Sequence, residues 1–301
     1  MPSKQAIYYF WTVKILLLRF SSIGDIVLTS PVVRCLKQQL PDSKIHFLTK
    51  KSFVTIVDNN PNIDKVFSFE KNADEVLSEL KKENYDWIID LHHNLRSMQV
   101  KRALGKPSKS FDKLNIEKWL LVNFKINRLP NKHIVDRYFE TVAHLGVKND
   151  LKGLDFFIDA KDEVNISSLP KEFQNGYTAF VIGAKHNTKK LPVEKIISIC
   201  SKLNRPVILI GGKEDLEIGN TIISNIKLQT SNFFNACGKL NIHQSASLIK
   251  QAEQVITHDT GMMHIAAAFR KKIISVWEIP FLNLECIHIC RAKNQNQKLW
   301  K

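Results

Sequence analysis

The sequence predicts an α/β protein built from two consecutive Rossmann-like domains, each with a parallel sheet. Short apolar runs alternate with segments of helical periodicity along most of the 301 residues. A polar stretch at 161–176 separates two such series. Strands alternating with helices imply parallel sheets joined by right-handed crossovers. We therefore expect a first domain at 13–160, a linker at 161–176 and a second domain at 177–277.

The first series opens with the strand KILLLRF and the helix SPVVRCLKQQL, which Pro41 ends. The apolar runs KIHFLT, KVFSF and YDWIIDL are the next strands, with helices predicted around SFVTIVDNN and ADEVLSELKKE. Their length and apolar content are typical of buried parallel strands. Two further helices are expected in IEKWLLVNFKI and DRYFETVAHLG.

The second series repeats this pattern. Its predicted strands are YTAFVIG, PVILIGG, FFNAC, QVITHD and KIISVW. The helices between them are VEKIISICSKL, EIGNTIISNI, IHQSASLIKQA and MMHIAAAF. In such sheets ligands bind outside the carboxyl ends of the strands, so the polar residues that follow each strand are the candidates for a site.

The charge favours anionic partners. The chain carries 44 Lys and Arg against 29 Asp and Glu, a formal net charge of +15. Nucleic acid, a phospholipid surface and a phosphorylated substrate would each suit this excess, and so would solvated lysine-rich helix faces. The five cysteines show neither C-x-x-C spacing nor a pairing with histidine at metal-ligand spacing, which favours a reducing compartment. No apolar run reaches transmembrane length, and we expect a cytoplasmic protein.

The segment RFSSIGDIVLTSPVV interrupts a buried strand with two serines, a glycine and an aspartate. We expect Gly24 to permit a tight turn and Asp25 to lie at or near the start of the next helix. Helix capping by Ser21, Ser22 or Asp25 is an alternative explanation of the same residues. A dinucleotide-binding G-x-G-x-x-G motif is excluded, because two further glycines are absent.

Four motifs carry a resemblance to a known family. RFSSIGDIVLTSPV, YDWIIDLHHNLRS, GAKHNTKKLPVEK and THDTGMMHIAAA follow one another in the order and spacing of family 9 glycosyltransferases, over about residues 13–277. The chain resembles the ADP-heptose:lipopolysaccharide heptosyltransferases. This resemblance implies a GT-B fold, with an acceptor domain, a nucleotide-sugar domain and chemistry in the cleft between them. It also implies inverting transfer with a carboxylate base, at the position of Asp25. Because no D-x-D or comparable carboxylate cluster is present for a divalent metal, we expect no metal or other cofactor.

The donor site implied by the resemblance lies in the second domain. The aspartate, the Thr-Gly pair and the histidine of the last motif match Asp259, Thr260, Gly261 and His264. The free amides of a helix start suit a diphosphate, although Asp259 could equally cap the helix. The remaining matches are a catalytic lysine that contacts the departing diphosphate, a ribose-binding acid and an apolar contact on the adenine side: Lys189, Glu214 and Leu240. If the alignment is shifted by one position, Asp215 instead of Glu214 matches the ribose-binding acid.

The acceptor site implied by the resemblance comprises Ser21, Ser22, Gly24 and Arg96, and the acceptor is an anionic inner-core glycolipid. Lys101 and Arg102 would add positive charge. Adjacent histidines such as His92 and His93 cannot both chelate easily from a strand end, so no metal site is expected. The segment KWLLVNFKI, together with Lys113 and Lys125, either contacts lipid peripherally at the cytoplasmic face of the inner membrane or forms core.

The two ends depart from the family pattern. Residues 1–12 precede the point where relatives begin, so translation that starts at residue 13 is an alternative. After KKIISVW the family continues with a string like GNTIPEFGMYPY, and dropping one base from plausible codons for it yields EIPFLNLECIHI. We therefore hypothesise a frameshift at Glu278, with 278–301 read out of frame. We expect an incomplete second domain with an exposed sheet edge.

Three functions are consistent with these motifs. The first is an inverting glycosyltransferase that moves heptose from ADP-heptose to a lipopolysaccharide inner-core acceptor, without nucleic acid as a partner. The second is a non-catalytic remnant that binds a nucleotide sugar but has lost turnover with its C-terminal elements. The third is a GT-B epimerase that acts on a UDP-sugar.

Overall fold

The computed structural model describes residues 12–184, 190–226, 230–278 and 285–290, which form two compact α/β units. Of these residues, unit 1 contains 12–21 and 29–150, and unit 2 contains 22–28 and those that follow 150. Each unit contains a predominantly parallel sheet with helices between its strands. The predicted α/β class with two Rossmann-like domains is confirmed.

Unit 1 contains a five-stranded parallel sheet in the order β3-β2-β1-β4-β5. Its strands are β1 (Lys14–Leu18), β2 (Lys44–Lys50), β3 (Lys65–Phe69), β4 (Trp87–Asp90) and β5 (Ser108–Ser110). The helices of this part of the chain are α1 (Ile23–Val27), α2 (Ser30–Gln39), α3 (Leu77–Lys82), α4 (Leu95–Leu104), α5 (Asn115–Phe124) and α6 (Ile134–Phe139), of which α1 belongs to unit 2. Short 3-10 helices occupy Lys51–Ile56, Ala73–Val76 and Ala143–Leu145.

The core of unit 1 forms around β1, which pairs with β2 on one side and β4 on the other. Residues 15–18 of this strand are all fully buried. A central parallel strand is covered on both faces, which explains why its sequence is continuously apolar rather than alternating. Leu16 and Leu18 pack in a cluster with Phe67 of β3 and Ile88 of β4.

Unit 2 contains a six-stranded sheet in the order β11-β10-β9-β6-β7-β8. Its strands are β6 (Thr178–Val181), β7 (Val207–Ile210), β8 (Phe233–Asn235), β9 (Gln254–Thr257), β10 (Lys272–Glu278) and β11 (Glu285–Cys290). Its other helices are α7 (Lys171–Gln174), α8 (Val193–Cys200), α9 (Leu216–Asn225), α10 (Ile242–Gln251) and α11 (Gly261–Ala268). Short 3-10 helices occupy Ala160–Asp162, Ile166–Ser168, Lys213–Asp215 and Thr230–Asn232.

The stretch predicted as a linker, 161–176, is packed into unit 2. Leu169 and Phe173 are buried in the same core cluster as Val181 of β6 and Val255 of β9. Residues 151–160, assigned to the first domain by the sequence, also belong to unit 2. There the N–H of Asp159 donates to Nδ1 of His243 at 3.2 Å. Polar composition misled the prediction, because a few apolar side chains in the stretch are enough to anchor it.

The sheet edge of unit 2 differs from the prediction. β11 pairs antiparallel with β10 from Ile273↔Cys290 to Glu278↔Glu285. β11 rather than β10 is therefore the last strand on this side of the sheet, and it satisfies the backbone groups of β10. Of the predicted N-terminal extension, only residue 12 is among the described residues. In the stretch that we expect to be out of frame, residues 279–284 and 291–301 lie outside them.

The remaining differences are local. The helix predicted around SFVTIVDNN is 3-10 over Lys51–Ile56, and β5 was not predicted because its sequence SKS contains no apolar residue. No helix among the described residues combines the length and hydropathy that a bilayer crossing requires.

Candidate functional site

In both units the sheet order reverses beside the first strand, between β1 and β4 in unit 1 and between β6 and β9 in unit 2. Open α/β sheets bind ligands at such reversal points, outside the carboxyl ends of the strands. Ser21 follows β1, and Asp259 and Thr260 follow β9. The sequence motifs therefore lie where this architecture places ligands.

The N-terminal end of α11 is suited to an anion. Thr260 is the N-cap residue, as the sequence predicted for the helix start, but its side chain makes no capping hydrogen bond. Its hydroxyl lies 3.3 Å from that of Thr257 instead. The Thr260 side chain therefore does not accept from the N–H groups of Gly261 and Met262, which can donate to another acceptor. The helix dipole favours an acceptor with negative charge.

Helix α1 packs against this same end of α11 within unit 2. A Cβ on Gly261 would lie 2.6 Å from Cβ of Ile23, and one on Gly24 would lie 2.4 Å from Cδ2 of His264. Both glycines are therefore needed for close packing. Gly24 has no left-handed backbone conformation, so the tight-turn reason predicted for it is wrong.

Asp25 lies in the first turn of α1 and takes part in its capping. Its Oδ2 accepts hydrogen bonds from the Ser22 backbone N–H at 3.1 Å and from the Ser22 hydroxyl at 2.9 Å. The capping alternative is therefore confirmed for Asp25, whereas Ser22 is the N-cap residue but its side chain makes no capping hydrogen bond. Asp25 is half-buried and directly follows Gly24, which packs against His264. Ser21 is half-buried, and its carbonyl accepts from Nε of Arg19 at 2.8 Å.

Asp215 organises the loops after β6 and β7. It is 2% exposed, pairs with Nζ of Lys190 at 2.7 Å and accepts from the Gly212 N–H at 2.9 Å. A Cβ on Gly183 would lie 2.2 Å from its carboxylate. Its neighbour Glu214 is exposed, so of the two acids only Glu214 presents its carboxylate to solvent.

His258 connects the loop before α8 to the end of β9. Its Nε2 accepts the backbone N–H of Leu191 at 3.1 Å, and the side chain is 1% exposed. Burial, reinforced by the charge of Lys190, lowers the pKa of His258 to about 4. The ring is therefore a neutral acceptor at physiological pH. Sequence reasoning missed it because its partner lies 67 positions away. Lys189 lies outside the described residues.

Leu240 follows β8 and is half-buried against the core of unit 2. The loop that carries it is fixed to the end of β7, because the Gly238 N–H donates to the Gly211 carbonyl at 3.2 Å. Leu240 and Glu214 therefore follow neighbouring strands, as a nucleoside site at this edge requires.

In unit 1, the buried Asp90 ends β4 and fixes the following loop. Its carboxylate accepts the N–H groups of His92 and His93, the Ser97 hydroxyl and Nζ of Lys101. Burial would raise the pKa of Asp90, but these donors hold it below its ordinary value. Lys101 lies 2.9 Å from this carboxylate, so its predicted role as positive charge for an acceptor is wrong.

Arg96 is exposed in the first turn of α4, as an acceptor-binding cation requires. Within the described part of the chain, no group of three or more His, Cys, Asp or Glu side chains is arranged to hold a metal ion.

Comparisons with known proteins agree with these motifs. The family model "Glycosyltransferase family 9 (heptosyltransferase)" matches residues 75–279. Lipopolysaccharide heptosyltransferase 1 of Campylobacter coli is 24% identical over 290 residues, covering 88% of this chain and 83% of the relative. A family 9 glycosyltransferase structure from Veillonella parvula superposes with a TM-score of 0.71 at 23% identity, covering 87% of this chain and 80% of that one.

The Escherichia coli heptosyltransferase WaaC, solved with ADP, superposes with a TM-score of 0.67 at 20% identity, covering 87% of this chain and 86% of the other. These likenesses confirm the GT-B fold. The family match covers more than half of the chain, and the protein belongs to glycosyltransferase family 9, the heptosyltransferase family.

Proposed function

We propose that this protein is an inverting heptosyltransferase that transfers heptose from ADP-heptose to a hydroxyl of an anionic lipopolysaccharide inner-core glycolipid. The observation that carries the proposal is the packing of α1 on the start of α11, through Gly24 and His264. It holds the carboxylate-bearing turn next to the amide-rich helix start. Solved heptosyltransferases with ADP and with ADP-2-deoxy-2-fluoro heptose share the fold.

The proposed reaction is a single displacement. The acceptor hydroxyl attacks the anomeric carbon of heptose while the bond from that carbon to the diphosphate oxygen breaks. Asp25 accepts the hydroxyl proton, and the electron pair leaves with ADP. A positioned carboxylate of this kind contributes about 10²–10⁴-fold to the rate. Inversion follows because nucleophile and leaving group lie on opposite faces of the sugar.

The second unit binds the donor in this proposal. The N–H groups at the start of α11, together with Thr260, Gly261 and His264, receive the diphosphate, and Lys189 neutralises the leaving charge. Asp259 binds sugar hydroxyls. Glu214 binds the ribose, and Leu240 contacts the adenine.

In this proposal Arg96, Ser21, Ser22 and Gly24 bind the acceptor. Arg96 suits an anionic group on the acceptor because a guanidinium forms bidentate hydrogen bonds with carboxylate or phosphate. Such an acceptor is held in a membrane, so we place the protein in the cytoplasm, in contact with the inner membrane.

Transfer from ADP-heptose to a purified core acceptor by the full chain tests the proposal, with the product detected by mass spectrometry. We expect product from the wild type. Asp25→Asn should reduce the rate by at least about 100-fold. Its amide oxygen can still accept the Ser22 hydrogen bonds, so the cap is kept and only the base is lost. Normal turnover by this variant would refute the base assignment.

Nucleotide-dependent thermal stabilisation separates the alternatives. ADP should raise the unfolding temperature more than UDP does, since binding only to the folded state stabilises it. Stabilisation by ADP without any product would support the non-catalytic remnant. Preference for UDP would support an epimerase, which family membership does not favour.

A further inference from the structure

Helix α5 presents an apolar surface that unit 1 does not cover. No residue of this ten-residue helix is buried. Five of the seven large hydrophobic side chains that are exposed in the described residues belong to it or to the two residues after it. They are Ile116 (71% exposed), Trp119 (56%), Val122 (67%), Phe124 (58%) and Ile126 (46%), and we call them the α5 face. The alternative in which this segment forms core is wrong.

The α5 face is a continuous stripe. Ile116, Trp119 and Val122 follow one another at intervals of three residues, which places them on one side of the helix. The rings of Trp119 and Phe124 lie 5.2 Å apart in an edge-to-face arrangement, which extends the apolar surface to the end of the helix. Tryptophan and phenylalanine are the side chains that bind best at the level of lipid headgroups.

The segment is held to unit 1 at both ends. Phe111 before it is 4% exposed, and its ring lies 4.9 Å from that of Tyr138 in α6. Val135 after it is 7% exposed. No residue of 112–134 is buried. A segment of this length that is anchored at both ends but contributes no buried residue in between is usually functional.

The charges around the α5 face favour one occupant. Within 113–132 there is one acid, Glu117, against five cations: Lys113, Lys118, Lys125, Arg128 and Lys132, of which Lys132 pairs with Glu140 at 2.7 Å. A second copy docked face to face about a two-fold axis would bring these cations against themselves. An anionic bilayer instead attracts each of them, at about 1 kcal/mol per Lys or Arg near the surface.

We propose that the α5 face docks onto an anionic lipid bilayer, with α5 lying in the plane of the surface. Ten residues of helix span only about 15 Å, which is too short to cross but suits an interfacial position. The stripe enters the boundary between headgroups and acyl chains, and Lys118 reaches the phosphates beside it. This proposal rests on the proposed function in that the acceptor is a glycolipid, and it adds which surface meets the membrane.

The test is flotation of the full chain with vesicles of equal parts phosphatidylglycerol and phosphatidylcholine, against phosphatidylcholine alone. We expect binding to the anionic vesicles that weakens with salt, and about a tenfold or greater loss of partitioning in Trp119→Ser/Val122→Ser. Leu95→Ser is the matched control, because Leu95 is 74% exposed on another helix. It should bind like the wild type. Circular dichroism and unfolding temperature should be unchanged in both.

Brominated lipids locate the contact directly. They should quench the fluorescence of Trp119, and Trp119→Phe should keep binding but lose that part of the quenching. Vesicle binding that survives the double substitution would overturn the proposal. So would a dimer in lipid-free solution that the double substitution dissociates, because the occupant would then be a second copy.

Vesicle binding is measured without any sugar, so it stands or fails independently of heptose transfer. If both proposals hold, the double variant should transfer heptose normally to a soluble deacylated acceptor and poorly to the same acceptor embedded in vesicles. Equal rates on the two acceptors in wild type and variant alike would overturn a docking role.

Discussion

The imidazole of His264 occupies the space that a side chain on Gly24 would need, since a Cβ there would lie 2.4 Å from Cδ2 of the ring. Gly24→Ala should therefore displace the ring or α1. We expect a loss of about 1–3 kcal/mol in the free energy of unfolding, as for other overpacked sites. Urea unfolding measures the loss.

A second substitution tests whether this contact is the cause. His264→Ala removes the ring, so the Gly24→Ala/His264→Ala variant should be more stable than the sum of the single effects predicts. Contacting residues show coupling of about 0.5–3 kcal/mol in such cycles. Additive effects would show that the alanine is strained for another reason.

The neutrality of His258 predicts a pH dependence of stability. Folding lowers the pKa of His258 from its ordinary 6.5 to about 4, so between these values the unfolded chain binds the proton and the folded chain does not. Stability is therefore complete above pH 6.5 and falls as the pH drops towards 4, by about 3 kcal/mol at most. Unfolding free energies across this range measure the slope.

His258→Gln provides the control for that slope. Glutamine can accept the Leu191 N–H but does not titrate. Between pH 4 and 6.5 the unfolding free energy of the variant should therefore fall less steeply with decreasing pH, by up to the contribution of one bound proton. An unchanged slope would assign the dependence to other groups.

The two acids after β7 should respond differently to substitution. Glu214→Ala should weaken binding of ADP while leaving stability unchanged, because the side chain is exposed. Asp215→Ala should destabilise unit 2 by about 3–5 kcal/mol, since it leaves Lys190 without its buried partner. Calorimetric titration with ADP and urea unfolding separate the two effects, and equal loss of stability in both variants would contradict the assignment.

Substitution of Asp90 should lower the free energy of unfolding of unit 1 by a similar amount. Asp90→Ala leaves Lys101 and two loop N–H groups without their acceptor, so we expect a loss of about 3–5 kcal/mol. The variant Asp90→Asn/Lys101→Met should recover much of it, because the amide oxygen still accepts and no unpaired charge remains. Unfolding by urea measures both, and no recovery in the pair would show that neither the unpaired Lys101 charge nor the loop N–H groups account for the loss.

The sequence predicted the central strands well, because an apolar run such as that of β1 is compatible with few other environments. It also placed the start of α11 correctly from Thr260 and Gly261. It could not predict that Gly24 meets His264 or that Leu191 meets His258, since these partners become neighbours only when distant parts of the chain pack together. β5 was missed because its polar residues are recruited by the edge of an existing sheet rather than by apolar periodicity. β11 was not predicted because we expect 278–301 to be read out of frame.

One consequence of how the chain is divided concerns protein engineering. Residues 22–28 belong to unit 2, although the rest of that unit begins at 151. A C-terminal fragment that begins at residue 151 would lack α1, the short helix that packs against Gly261 at the start of α11. Chimaeras between relatives should therefore exchange the two stretches together, so that the glycines and the side chains that fill their spaces come from one parent.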